Sequence, residues 1–226
     1  MNTKSGVSKK ILVALLVVFI ADIATLIYTM MYGPHPEFLP GGKDPTAYRI
    51  LFIHVPCSWS MYVAFTLAFI GSILYLWRGH FKYDTLAYTG ATLGVLYGIG
   101  GIVTGALWAA EVWGSPWNWD PKQTSTLILL LAYVGYLALR ASIREMERMR
   151  TISSTYAIAA FVTLPISYVS SLYLKSLHEA LPRQPLPSEA YMWLGIRIIT
   201  AFILFIIIEA IYYLNVKSKI EMVEGS

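Results

Sequence analysis

The chain has 226 residues, of which 57% are hydrophobic and only 13% charged, about half the charge of an ordinary soluble domain. A formal net charge of +4 sits in short loops between apolar runs, where it sets orientation and makes no phosphate-binding face, so nucleic acid is excluded as a partner. The single Cys57 excludes an intramolecular disulfide, a paired-cysteine redox motif and a multi-cysteine metal site, and no phosphate-binding loop is present, so any ATP-driven step belongs to a partner subunit.

Six apolar runs follow in chain order, each close to the ~20 residues that cross a hydrocarbon layer of ~30 Å. They lie at about Ile11 to Met31, Cys57 to Trp77, Leu86 to Trp108, Thr124 to Leu139, Ile152 to Tyr173 and Tyr191 to Leu214. Lipid-facing backbone must satisfy its own hydrogen bonds, and the runs are too long and uniform for barrel strands, so each reads as a helix. The predicted fold is an all-α integral membrane protein, one six-helix transmembrane domain over 1–226. The first run follows Lys4, Lys9 and Lys10 but is too long for a signal peptide and lacks a small-residue cleavage site, so it reads as an anchor.

Lysine and arginine set the orientation. With the N-terminus inside, eleven of the 17 fall on the cytoplasmic side and six on the outer side, which predicts both termini cytoplasmic. Three outer connections result, at about 32–56, 109–123 and 174–190. They hold nearly all the prolines, three of the seven tryptophans and three of the four histidines, so function is expected on the outer face. Gly90, Gly94, Gly98, Gly101 and Gly105 recur on the third run and read as a packing face.

The second outer connection is unusual. Trp108, Trp113, Trp117 and Trp119, four of seven tryptophans, crowd around Gly114 and Pro116 and end at Asp120. Interfacial anchoring is the ordinary role of tryptophan at a membrane. Gathered in one turn-rich loop, the indoles would make a flat apolar platform suited to a planar ligand. His54 at the outer mouth of the second helix and His178 just past the fifth should share its depth. Two such imidazoles could ligate a haem iron axially. Arg49 and Lys122, close in sequence to these elements, are candidate partners for haem propionates; Lys175 and Arg183 read as ordinary loop cations. Arg197, inside the last helix, needs a partner such as Glu111 or a propionate. Asp22 and Glu209 read as helix-to-helix hydrogen-bonding groups, with a proton or ion path as the sharper alternative.

The string Trp113-Gly114-Ser115-Pro116-Trp117-Asn118-Trp119-Asp120, with Lys122 after it, resembles the tryptophan-rich signature of haem-handling membrane proteins. Within that superfamily the whole chain is similar to the cytochrome c maturation protein C (CcmC) type. His54 in Phe52-Ile53-His54-Val55-Pro56 and His178 in Ser176-Leu177-His178 match the family's two haem-ligating histidines. Lys122 departs from the pattern, which commonly has arginine there, and keeps the charge without the bidentate fork. The resemblance implies a non-enzymatic protein of a bacterial-type inner membrane. It would hold haem b non-covalently at the outer face and present it to a membrane-anchored haem chaperone. The implied partners are an ABC-type ATPase subunit, a second membrane subunit and a small single-span subunit. A permease subunit with no stable haem is the alternative. A b-type electron-transfer cytochrome would bury its histidines in mid-span, where this chain has none.

Overall fold

The computed structural model describes residues 8–178 and 186–224, which contain helices and no strand. Six of the resulting helical segments are long and apolar enough to cross a membrane, as the apolar runs predicted.

Ser8 opens α1 (Lys9–Tyr32) by accepting the Ile11 N–H at 3.4 Å. At its far end the carbonyls of Met31 and Gly33 are taken by the Arg49 guanidinium at 2.8 and 2.9 Å. Asp44 then caps a 3-10 turn over Pro45–Ile50 that runs straight into α2 (Leu51–Arg78).

The sequence pattern puts the start of this helix near Cys57, but it begins six residues earlier and Pro56 lies inside it. Proline has no N–H, so the carbonyl of Phe52 loses its helical donor. Arg197 from the last helix supplies a replacement, its Nε donating to Phe52 O at 3.1 Å. His54 is therefore a helical residue and not part of the outer connection.

Gly79, at φ +68°, ends α2, and His80 caps α3 (Phe81–Trp113). Gly114, at φ +82°, ends α3, and Asp120 with Pro121 opens α4 (Pro121–Ser142). The tryptophan connection thus shrinks from the expected 109–123 to 114–120, with Trp108 and Trp113 on the helix. Hydropathy falls where a helix leaves the hydrocarbon, although the helix itself continues.

The fifth span is broken into α5 (Met146–Ala160) and α6 (Thr163–Tyr173). Pro165 offers no N–H to Phe161, whose carbonyl accepts from Leu164 N at 3.0 Å in a tighter turn. The last span is α7 (Ser188–Glu224).

The closest pair is α2 with α3. At Gly90 an added Cβ would lie 2.8 Å from the Ala64 carbonyl, so only glycine lets these backbones meet there. Phe65 of α2 stacks on Tyr133 of α4 with centroids 3.7 Å apart, in a cluster with Met61, Leu129 and Tyr136. At the end of the bundle away from Trp113, Asp84 of α3 takes both forks of Arg140 at 2.5 and 2.6 Å, with Arg150 Nε 3.5 Å away. This buried group ties α3, α4 and α5 together at one level. Near mid-membrane, Asp22 of α1 and Arg197 of α7 form a second buried pair at 2.5 Å. Arg197 therefore pairs with Asp22, not with Glu111, which is exposed. Glu209 accepts from Thr89 at 2.5 Å, the helix-to-helix role expected of it.

Candidate functional site: a two-histidine aromatic cavity

A cavity of about 430 Å³ lies at one end of the bundle, between α2, α3, α4, α6 and the segment that carries His178. Its size falls in the ~300–1,000 Å³ range of small-molecule sites. Both histidines line it, with ring centroids 6.3 Å apart. Two imidazoles sharing one ion through metal–nitrogen bonds of roughly 2 Å have ring centres about 6 Å apart.

The state of His54 follows from its neighbours. Its Nδ1 is 3.0 Å from the Gly101 carbonyl, which can only accept, so Nδ1 carries the proton and Nε2 the lone pair. Thr104 Oγ1 lies 3.2 Å from the same nitrogen and donates its own proton to Gly100 O at 2.7 Å. A backbone carbonyl behind the ring is the usual outer support of a metal-bound histidine. Gly105 makes the approach possible, because a Cβ there would sit 2.9 Å from His54 Cε1. The glycine run read as packing thus does two jobs. Gly90 admits α2, and Gly105 admits the imidazole.

His178 is held by the tryptophan connection. Asp120 caps α4 through Lys122 N at 2.9 Å and accepts from Ser176 Oγ at 2.9–3.0 Å and Leu177 N at 2.6 Å. Ser176 Oγ in turn accepts the His178 N–H at 3.0 Å. One buried carboxylate therefore fixes both the start of α4 and the chain just before His178. Trp108 and Trp113 flank the ring, with centroids 6.4 and 6.3 Å away. Burial pushes the His178 imidazole down to about 4, with His54 and the Lys122 ammonium acting the same way and Asp120 opposing them. The ring is neutral at pH 7.

Of the residues singled out in the sequence, His54, His178, Trp108, Trp113, Trp117 and Lys122 line the cavity together. Four others do not. Asp120 acts from behind as described, and Gly114 is the turn that ends α3. Trp119, at φ +52°, projects outward at 77% exposure. Arg49 is engaged on the end of α1. Lys122 Nζ donates to Tyr62 Oη at 2.7 Å and to Ser167 O at 2.8 Å, which places its charge at the floor of the cavity. His35 bonds its own neighbour Pro36 and His80 caps α3, both away from the site. Arg183 and part of the third outer connection lie outside the described residues.

Sequence reasoning missed Ser176, Gly101, Thr104 and Tyr62. Gly101 and Gly105 carried a signal in their spacing, but their relation to His54 needed the helix start at Leu51. Nothing in the sequence marked Ser176 or Tyr62. Among the described residues, no three His, Cys, Asp or Glu side chains gather as a metal cage. The available donor set is two neutral imidazoles inside aromatic walls, which suits an ion that brings its own equatorial ligands.

Fold and site together define a polytopic helical membrane protein with a two-histidine aromatic cavity at one end of its bundle. Comparison with known proteins goes further. The sequence model of the cytochrome c assembly protein family matches residues 2–178, and the chain belongs to that family. It is 27% identical over 191 residues to a ccmC-like mitochondrial cytochrome c biosynthesis protein of Marchantia polymorpha, covering 84% of this chain and 79% of that one. It is also similar to heme exporter protein C of Bradyrhizobium diazoefficiens, 34% identical over 134 residues, and of Escherichia coli, 32% over 143 residues. These two matches cover 58% and 62% of this chain, but only 50% and 58% of the relatives' own length.

Proposed function

We propose that this protein binds haem as cargo in cytochrome c biogenesis, holding it between His54 and His178 and presenting it to a membrane-anchored haem chaperone. The observation that carries this reading is the paired imidazoles 6.3 Å apart in an aromatic cavity, with His54 Nδ1 committed to the Gly101 carbonyl. Haem iron supplies four ring nitrogens of its own and needs two axial ones. The Lys122 ammonium has two short bonds and a third proton for a propionate, and the buried Trp108 N–H has no partner among the described residues. The haem is of the b type, held without covalent bonds. The chain ligates and orients it and makes or breaks no covalent bond in it, so it does not act as an enzyme. Release follows from loosening the Asp120–Ser176 hold, which withdraws one axial nitrogen.

The excess of inner lysines and arginines supports a cavity on the periplasmic side of an inner membrane, with both termini cytoplasmic. The names of the relatives support a multi-subunit setting; the partners we assign to it are an ABC-type ATPase, a second membrane subunit and a small single-span subunit. A permease without stable haem would need Asp22, Arg197 and Glu209 along an open path. Instead Asp22 and Arg197 hold each other, and Glu209 holds Thr89.

The test is an absorption spectrum of the purified protein with haem quantified, wild type against His54→Ala and His178→Ala. A bis-histidine spectrum in the wild type, lost or converted in each variant, is expected. A wild type that stays haem-free when supplied with haem would sink the reading. The pH dependence is a second check. A free imidazole titrates near 6.5, whereas burial holds His178 neutral down to about 4. Its folded value is the lower one, so its contribution to stability is fully present above ~6.5 and lost as pH falls towards 4. Because the iron also competes with the proton for that nitrogen, haem ligation by His178 should persist at pH 5 and be lost only at or below about pH 4, as followed by spectral titration. Loss centred near 6.5 would mean that the ring is open to water.

A further inference from the structure

Part of the cavity wall is polar, although most of it is aromatic and aliphatic. Lys122 and Thr126 of α4 and Tyr62 of α2 line it there, backed by Ser167 of α6. The Lys122 ammonium donates to Tyr62 Oη at 2.7 Å and to the Ser167 carbonyl at 2.8 Å. The Tyr62 and Tyr168 rings flank it, with centroids 5.2 and 5.9 Å from Nζ. Two of its three protons are thus used, and the third is left for the cavity.

Tyr62 also has a proton to give. Lysine only donates, so its contact occupies a lone pair of Tyr62 Oη and leaves the phenol hydrogen for another acceptor. Ser167 Oγ is in reach at 3.0 Å, and Thr126 Oγ1 lies 2.9 Å from that oxygen. Each of these hydroxyls can donate or accept, so Ser167 can give its own proton to Thr126 or back to Tyr62. Turning the phenol hydrogen into the cavity therefore leaves no donor unpaired.

The helix places this pair relative to the histidines. Positions 54, 58 and 62 are four apart, so His54, Ser58 and Tyr62 share one face of α2, and all three line the cavity. Tyr62 stands about 12 Å along the axis from His54, at ~1.5 Å per residue. A planar ligand centred between His54 and His178 has one edge running along this face, towards Tyr62 and Lys122.

We infer that Tyr62 and Lys122 together bind one carboxylate of the cargo, Tyr62 Oη donating to one oxygen and Lys122 Nζ to the other. This rests on the haem reading of the site. Lysine is a point charge without the two-pronged geometry that arginine offers a carboxylate. A phenol oxygen 2.7 Å from that charge adds the missing prong, and two donors so spaced face the two oxygens of a single carboxylate. Tyr62 is then a specificity-determining residue, and the cavity selects a metalloporphyrin with a free carboxylate on its edge over one without. The imidazoles do not make that distinction, because they read only the metal.

The test titrates hemin, and hemin dimethyl ester with both carboxylates blocked, into the full chain in detergent. Affinity is read from the bis-histidine spectrum. Tyr62→Phe should weaken hemin about tenfold, or 1.4 kcal/mol, near the scale of a hydrogen bond to a charged group, and leave the ester unaffected. In a Lys122→Met background, Tyr62→Phe should still weaken hemin by about the same factor, because the phenol touches the carboxylate itself. An equal loss for hemin and ester in Tyr62→Phe would mean that Tyr62 only supports the contact between α2 and α6, and overturns the inference. A Tyr62 effect that vanishes once Lys122 is gone also overturns it, since Tyr62 would then act only by holding the ammonium. A wild type that gives a bis-histidine spectrum with neither porphyrin overturns the haem reading, and this inference with it.

Discussion

Replacing Arg197 with leucine while Asp22 remains is expected to destabilise the bundle by about 3–5 kcal/mol, the cost of leaving one charge of a buried pair without its partner. The geometry makes the site unforgiving. Arg197 bonds the Asp22 carboxylate at 2.5 Å, the Asp22 carbonyl at 2.7 Å and the Phe52 carbonyl at 3.1 Å, and Thr200 adds a bond to the same carboxylate at 2.9 Å. Removing the guanidinium orphans a carboxylate at membrane depth together with a carbonyl that Pro56 has already deprived of its helical donor. The double replacement Asp22→Leu with Arg197→Leu is expected to recover most of the loss, because a buried pair gains little over apolar residues of similar size. Unfolding in mixed micelles with rising dodecyl sulfate measures both. A double variant no more stable than the single one would show that the Phe52 carbonyl, and not the ion pair, dominates.

The second large effect is expected at Asp120, and it falls on the site rather than on the bundle. Asp120→Ala removes a helix cap, worth roughly 1 kcal/mol, and charge-assisted bonds to Ser176 and Leu177, worth about 1.5–3 kcal/mol each. Since these bonds hold the chain next to His178, haem affinity should fall about tenfold to a hundredfold, by 1.4 kcal/mol per decade. Asp120→Asn keeps an acceptor for the cap and the serine but loses the charge, so it should fall between wild type and alanine. Haem titration followed by absorbance separates the three. Equal affinity in all of them would mean that His178 is held by other contacts, and that the aspartate of the tryptophan signature serves only α4.

Much of this was legible in the amino-acid sequence, for reasons that can be named. The six spans were readable because a bilayer forces about twenty apolar residues into each helix, a constraint that acts on composition and needs no tertiary contact. The grouping of these residue types at one end of the bundle was readable, since Trp113, Trp117, His54 and His178 all fall near the ends of apolar runs on one side and line one cavity. Helix ends were less legible. Pro56 suggested a first turn, and α2 runs on through it because a distant arginine replaces the missing bond. Trp108 and Trp113 suggested a loop, and α3 carries them because a helix can continue past the hydrocarbon that defines its apolar run.

By itself, then, the sequence determined the class of protein, the number of spans and the cluster of histidine and tryptophan at one end, all of which follow from local composition and spacing. Only the tertiary structure decided which partner each polar group has. It joined Asp22 to Arg197 across 175 positions of chain, set Gly101 and Gly105 against His54, and turned Asp120 away from the cavity to hold Ser176 and Leu177. Those pairings depend on how helices rotate and tilt against one another. Rotation is fixed by close backbone contacts such as that at Gly90 and by buried charges that tolerate a single arrangement, and neither leaves a periodic trace in the chain.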